Sequence, residues 1–155
     1  MIKPIPDGFH SVTPHLIVND VGKALDWYRK ALGAEETVRM PTPDGKMVIH
    51  AEMKIGDSRI MLGPENPEWQ TKGPTTLGGT PVTIHLYVND VDAVFQKAVA
   101  AGAKSEAPIE DTFWGDRYGK VSDPFGHRWS IATHKRDVTP DEMKREMMKM
   151  FAEKK

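Results

Sequence analysis

The chain has 155 residues, 39% of them hydrophobic and 28% charged, enough for one ordinary domain or two small halves sharing a core. Its 21 lysines and arginines against 22 acidic residues leave a formal charge of −1, without the basic excess that holds a phosphate backbone, so nucleic acid is not an expected partner. The absence of cysteine excludes disulfides, thiolate nucleophiles, Fe–S clusters and cysteine-based zinc sites, leaving histidine and carboxylate as the strong metal ligands.

In chain order, the first ten residues lack an apolar signal core. No later stretch nears the roughly 20 apolar residues a bilayer span takes, so the expectation is a cytoplasmic protein with no membrane partner. Residues 12–21 (VTPHLIVNDV) then match residues 82–91 (VTIHLYVNDV) at eight of ten positions with a constant offset of 70, which predicts two modules. Each copy opens as an alternating strand and changes period after Asn-Asp. Val21, Ala24, Leu25, Tyr28 and Leu32 fall on one helical face before Gly33, and Val91, Val94, Phe95, Ala98 and Val99 do so before Gly102.

Turn signals at Pro43-Asp44-Gly45 and Gly56-Asp57 bracket a strand over 46–55 and another over 58–62. In the second copy Asp123-Pro124-Phe125-Gly126 separates 118–122 from 128–133. Gly56 and Gly126 again differ by 70, which extends the expected register to the end of each module. The predicted pattern is strand, helix and about three strands, twice. The modules span residues 10–63 and 81–134, with a Pro- and Gly-rich connection over 64–80. Thr139-Pro140-Asp141-Glu142 is a capping box with proline at the first helical position, and Met143, Met147, Met150 and Phe151 follow at helical spacing. A helix over 138–155 is expected, docked on its own domain or covering a homodimer contact.

Two βαβββ modules, each opening with a His-containing strand that ends in Val-Asn-Asp-Val, and the second closing with Asp123-Pro124-Phe125-Gly126-His127-Arg128-Trp129, resemble the vicinal oxygen chelate superfamily. That superfamily includes glyoxalase I, bleomycin-resistance proteins, fosfomycin-resistance enzymes and extradiol dioxygenases, and the resemblance covers roughly residues 10–134. It implies an α+β fold in which the modules form a U-shaped, partly closed β-barrel around a small-molecule cavity. In metal-using members the ligands come from the first and last strand of each module. Matched through the motifs above, those positions are Thr13, Ile60, Thr83 and Ser130, none of them His or Glu, so the two-His, two-Glu site of a glyoxalase I is not in the expected register.

Other residues can serve the cavity. Strand alternation turns His15 and His85 to the same side as Thr13 and Thr83, and two imidazoles facing one space suit metal binding or acid–base work near neutral pH. His50 and Glu52 share a strand face. If that face is concave, His15, His50 and His85 are the candidate ligands of a divalent ion, with Glu52 as fourth ligand or base and His85 also a catalytic candidate; if not, Glu52 faces solvent. Between Asp111 and Tyr118, Trp114, Arg117 and Tyr118 offer an aromatic surface beside a guanidinium, suited to a planar or anionic ligand. Arg128 and Ser130 share a strand face that reaches the cavity, while Trp129 and Ile131 pack against the helices.

No P-loop, dinucleotide fingerprint, nucleophile elbow or H-E-x-x-H motif is present. Two functions remain, beside a structural role in which the chain dimerises through its tail and takes no ligand. One is metal-assisted lyase, isomerase or transferase chemistry on a substrate with adjacent oxygens. The other is non-enzymatic sequestration of a drug or metabolite.

Overall fold

In the computed structural model, which describes residues 1–154, the alternation after Pro14 becomes β1 (His15–Val18). Leu16 and Val18 are buried against a helix, and His15 and Ile17 turn to the opposite face. Asp20 caps α1 (Val21–Leu32) by accepting from the Lys23 amide, and Gly33 closes it. Its buried stripe of Val21, Ala24, Leu25, Tyr28, Ala31 and Leu32 covers one face of a sheet completed by β2 (Glu35–Pro41), β3 (Val48–Ile55) and β4 (Ser58–Pro64). The strand order is β1-β4-β3-β2, with β1 parallel to β4.

The connection holds a short α2 (Pro74–Leu77). The second module repeats the plan: β5 (Thr83–Tyr87), α3 (Val91–Ala100) capped by Asp90, then β6 (Lys104–Asp111), β7 (Asp116–Ser122) and β8 (Arg128–His134), in the order β5-β8-β7-β6. α4 (Pro140–Glu153) follows, its N-terminus capped by Thr139. The fold is therefore α+β, with two four-stranded sheets and a C-terminal helix. No strand of one sheet pairs with the other among the described residues, so no barrel closes.

The modules are joined through their helix layers. Trp27 Nε1 donates to the Ala101 carbonyl at 2.8 Å, and Tyr28 packs on Phe125 and Trp129. Each large side chain fully buried there contributes about 1.5–3 kcal/mol. Asp123, 5% exposed, accepts from the Tyr28 hydroxyl, from Trp129 Nε1 at 2.9 Å, and from the amides of Phe125 and His127 at 2.9 Å each. His127 Nε2 donates to the Ile17 carbonyl at 2.8 Å. The Asp-Pro-Phe-Gly turn thus shapes its own hairpin and also ties the second module to the first.

Three expectations need correction. The 70-residue register does not reach the last strands: His15 pairs with Met61 while His85 pairs with Ser130, so Met61, not Ile60, is the counterpart of Ser130. The cause is the hairpins. Ile55 pairs with Ser58 across two turn residues, whereas Ser122 pairs with Arg128 across five. Because strand side chains alternate, a slip of one residue changes the face, and Ile60 lies in the core at 4% exposure. Second, turn signals alone did not reveal β2 and β6; these edge strands carry Pro41 and Pro108, are largely exposed and have no alternating pattern to read. Third, the Met143, Met147, Met150 and Phe151 stripe is not docked on the domain, since no residue of α4 is buried.

Candidate ligand-binding face

Since Val121, Trp129 and Ile131 point into the helix-side core, their strand neighbours must face the open side of the second sheet. That face collects His85 and Tyr87 from β5, Asp116, Tyr118 and Lys120 from β7, and Arg128 and Ser130 from β8. His85 Nδ1 lies 2.6 Å from the Ser130 hydroxyl. The Tyr87 hydroxyl donates to Asp116 Oδ2 at 2.9 Å, and His134 Nδ1 meets Asp116 Oδ1 at 2.7 Å while its Nε2 meets Asp137 at 2.7 Å.

The electrostatics follow from these contacts. Burial pushes the Asp116 carboxyl up, but hydrogen bonds from His134 and Tyr87 outweigh it and hold the group below its usual value. His134 is raised by its bonds to Asp137 and Asp116, and Tyr87 is raised by its bond to Asp116. The tyrosine therefore stays a donor.

Four rings form a continuous surface along this face. His85 meets Tyr87 edge-on with centroids 4.7 Å apart and lies near-parallel to Tyr118 at 6.0 Å. Trp114 contacts Tyr118 at 5.8 Å. Tyr87 is 60% exposed and Trp114 37%, so ring area remains free. Along the free edge of β5, toward the helix layer, a cleft of about 720 Å³ is lined by His85, Leu86, Tyr87 and Val94, with Leu32 and Ile55 of the first module across it. Arg117 does not belong to this surface. It points to the helix side, where Asp92 takes its guanidinium in a two-point contact at 2.8 and 2.9 Å and Asp111 adds a third at 3.2 Å. The cations on the open face are instead Lys120 and Arg128, neither with a carboxylate partner among the described residues, Arg128 beside a second cleft with Ser122 and Glu106.

The first sheet's open face carries His15, His50, Glu52, Lys54, Arg59 and Met61. His50 Nε2 lies 3.2 Å from Glu52 Oε1, which places Glu52 on the same open side, and the His15 and His50 rings meet edge-on at 6.0 Å. His15 lies across Gly63, where an added Cβ would sit 2.8 Å from Nε2, so glycine is what admits the ring. Desolvation and then the neighbouring His50 hold His15 below its usual value.

The structure thus brings His15, His50 and Glu52 together and leaves His85 on the other sheet. The resemblance-derived ligand positions do not fit a metal either. Thr13 precedes β1, Thr83 opens β5, Ile60 is in the core and Ser130 is engaged by His85. Among the described residues no group of three or more His, Asp or Glu is placed to hold a metal ion. Sequence reasoning did not single out Tyr87, Asp116, Lys120 or His134 as site residues. Tyr87, two residues after His85, was legible by alternation, but the Asp116–His134 contact depends on the β7–β8 register.

A family model described as Glyoxalase/Bleomycin resistance protein/Dioxygenase superfamily matches residues 8–131. An uncharacterised protein of Mycobacterium bovis is 49% identical over 140 residues, covering 88% of this chain and 91% of that protein. Among solved structures, TioX from Micromonospora sp. ML1 superposes with a TM-score of 0.66 at 28% identity, over 81% of this chain and 98% of that one. A gene product of Arabidopsis thaliana does so with a TM-score of 0.65 at 29% identity, over 80% and 98%. No helix of the described residues is long and apolar enough to cross a membrane.

Proposed function

The chain belongs to the glyoxalase/bleomycin resistance protein/dioxygenase superfamily, and from that premise we propose that it binds a small planar molecule against the open face of its second module. The observation that carries this reading is the run of rings from Tyr87 through His85 and Tyr118 to Trp114, exposed on one sheet face and edged by polar groups that are themselves tied down. Tyrosine and tryptophan offer large contact area with few torsions to freeze, so a flat ligand gains stacking at low entropic cost. Ser130 and Asp116 fix His85 and Tyr87 before the ligand arrives. Lys120 and Arg128 supply free positive charge for an anionic substituent.

A ligand-observed NMR screen of planar small molecules against the whole chain tests the reading. Hits are expected to bind the parent and to weaken roughly tenfold in Trp114→Ala and in Tyr118→Ala. Hits that bind all three proteins equally would sink the assignment.

A second reading, that the bound molecule is also turned over, is favoured by one contact. With Nδ1 engaged by Ser130, His85 keeps Nε2 free to exchange a proton with a ligand. In that case His85→Gln lowers turnover by a far larger factor than it weakens binding.

A further inference from the structure

The first module's open face holds a charge arrangement that the aromatic face does not use. Lys54 and Arg59 are direct cross-strand partners in β3 and β4, and like charges in that position repel. Neither has a carboxylate partner among the described residues, while Arg29, Arg39, Arg117 and Arg136 are all paired with acids. Of the acids on the same face, Glu52 is already engaged by His50, and Glu35, the cross-strand neighbour of Lys54 in β2, makes no ion pair with it.

Arg59 is nonetheless held in place. Its Cζ lies 5.3 Å from the centre of the Phe9 ring. The N-terminal turn folds over it so closely that a Cβ on Gly8, at φ 83, would sit 3.1 Å from Nη2. Its Nε is cut off from solvent with no acceptor, and leaving such a donor unpaired is costly. Its Nη groups are neither sealed off nor bonded to the protein, so the positioned guanidinium, beside a second cation that makes no ion pair, presents a donor edge that an acceptor with more than one oxygen can reach from solvent.

We propose that Arg59 and Lys54 form a binding site for a small oxyanion, a carboxylate or phosphate group, on the open face of the first module. The arginine fork presents parallel donors to two oxygens and the lysine adds a point charge. The site is separate from the aromatic face of the second module and stands or falls without it.

The test follows the Arg59 Nε–H resonance by proton–nitrogen NMR while inorganic phosphate, acetate or chloride is added to the full chain at matched ionic strength. A saturable shift with phosphate or acetate and none with chloride is expected, and the tighter of the two oxyanions identifies the group. Lys54→Gln should weaken binding roughly tenfold, and Arg59→Lys, which keeps the charge and loses the fork, should do so as well. A phosphate and acetate response no larger than that of chloride overturns the proposal. So does a Lys54→Gln protein that binds like the parent, a variant that decides the matter even if Arg59→Lys fails to fold.

Discussion

Asp116 illustrates how a single carboxylate organises one end of the open face. It is 3% exposed, yet it stays ionised because Tyr87 and His134 donate to it. His134, held above its ordinary value by Asp137 and Asp116, is charged in both folded and unfolded chains below its unfolded value of 6.5. Its contribution to stability is therefore fully present there and is lost as pH rises through its folded value. Urea midpoints measured from about pH 5.5 to about pH 8.5 are expected to show His134→Gln furthest below the parent at the acidic end, the gap closing toward the alkaline end. A gap independent of pH would mean that the imidazole charge is not what Asp116 and Asp137 hold. His15, shifted downward, acts with the opposite sign, stabilising above 6.5 and less as pH falls, so the comparison with the variant is what isolates His134.

At the level of elements, the Asp123 turn carries more than its sequence signature implies. Asp-Pro-Phe-Gly reads as a tight connection, and it is one, but the buried carboxylate also gathers four donors from α1, β8 and its own loop. Burial and the adjacent Asp123 push the Tyr28 hydroxyl well above its usual value, so it remains a donor. Asp123→Ala strands those donors in the core and should cost about 3–5 kcal/mol in urea denaturation, with Asp123→Asn losing less because one acceptor oxygen remains. A loss below about 1 kcal/mol for the alanine variant would show that the turn does not lock the modules. The helices α1 and α3 were readable in advance because their caps and apolar stripes are local. The edge strands β2 and β6 were not, because what makes them strands is the neighbour they pair with.

Over the whole molecule, two sheets stand on a shared helix layer with their open faces unpaired and α4 burying no residue. Removing α4 after Thr139 should accordingly leave the thermal midpoint within about 2 °C of the parent, and a larger drop would show that its methionine face is covered in solution. The sequence by itself determined the repeated strand–helix opening, the spans of α1 and α3, the Asp123 turn and the common facing of His15 and His85 within their modules. Each of these is written in periodicity or in turn chemistry over a few residues. Only the tertiary structure decided that Met61 and not Ile60 opposes His15, that Arg117 serves Asp92 and not the ligand face, that Glu52 joins His50, and that His85 sits on a different sheet from His15. The reason is physical. Which face a strand residue occupies depends on hairpin length, which differs between the modules, and which charges meet depends on pairings between segments far apart in the chain, neither of which is encoded in local spacing.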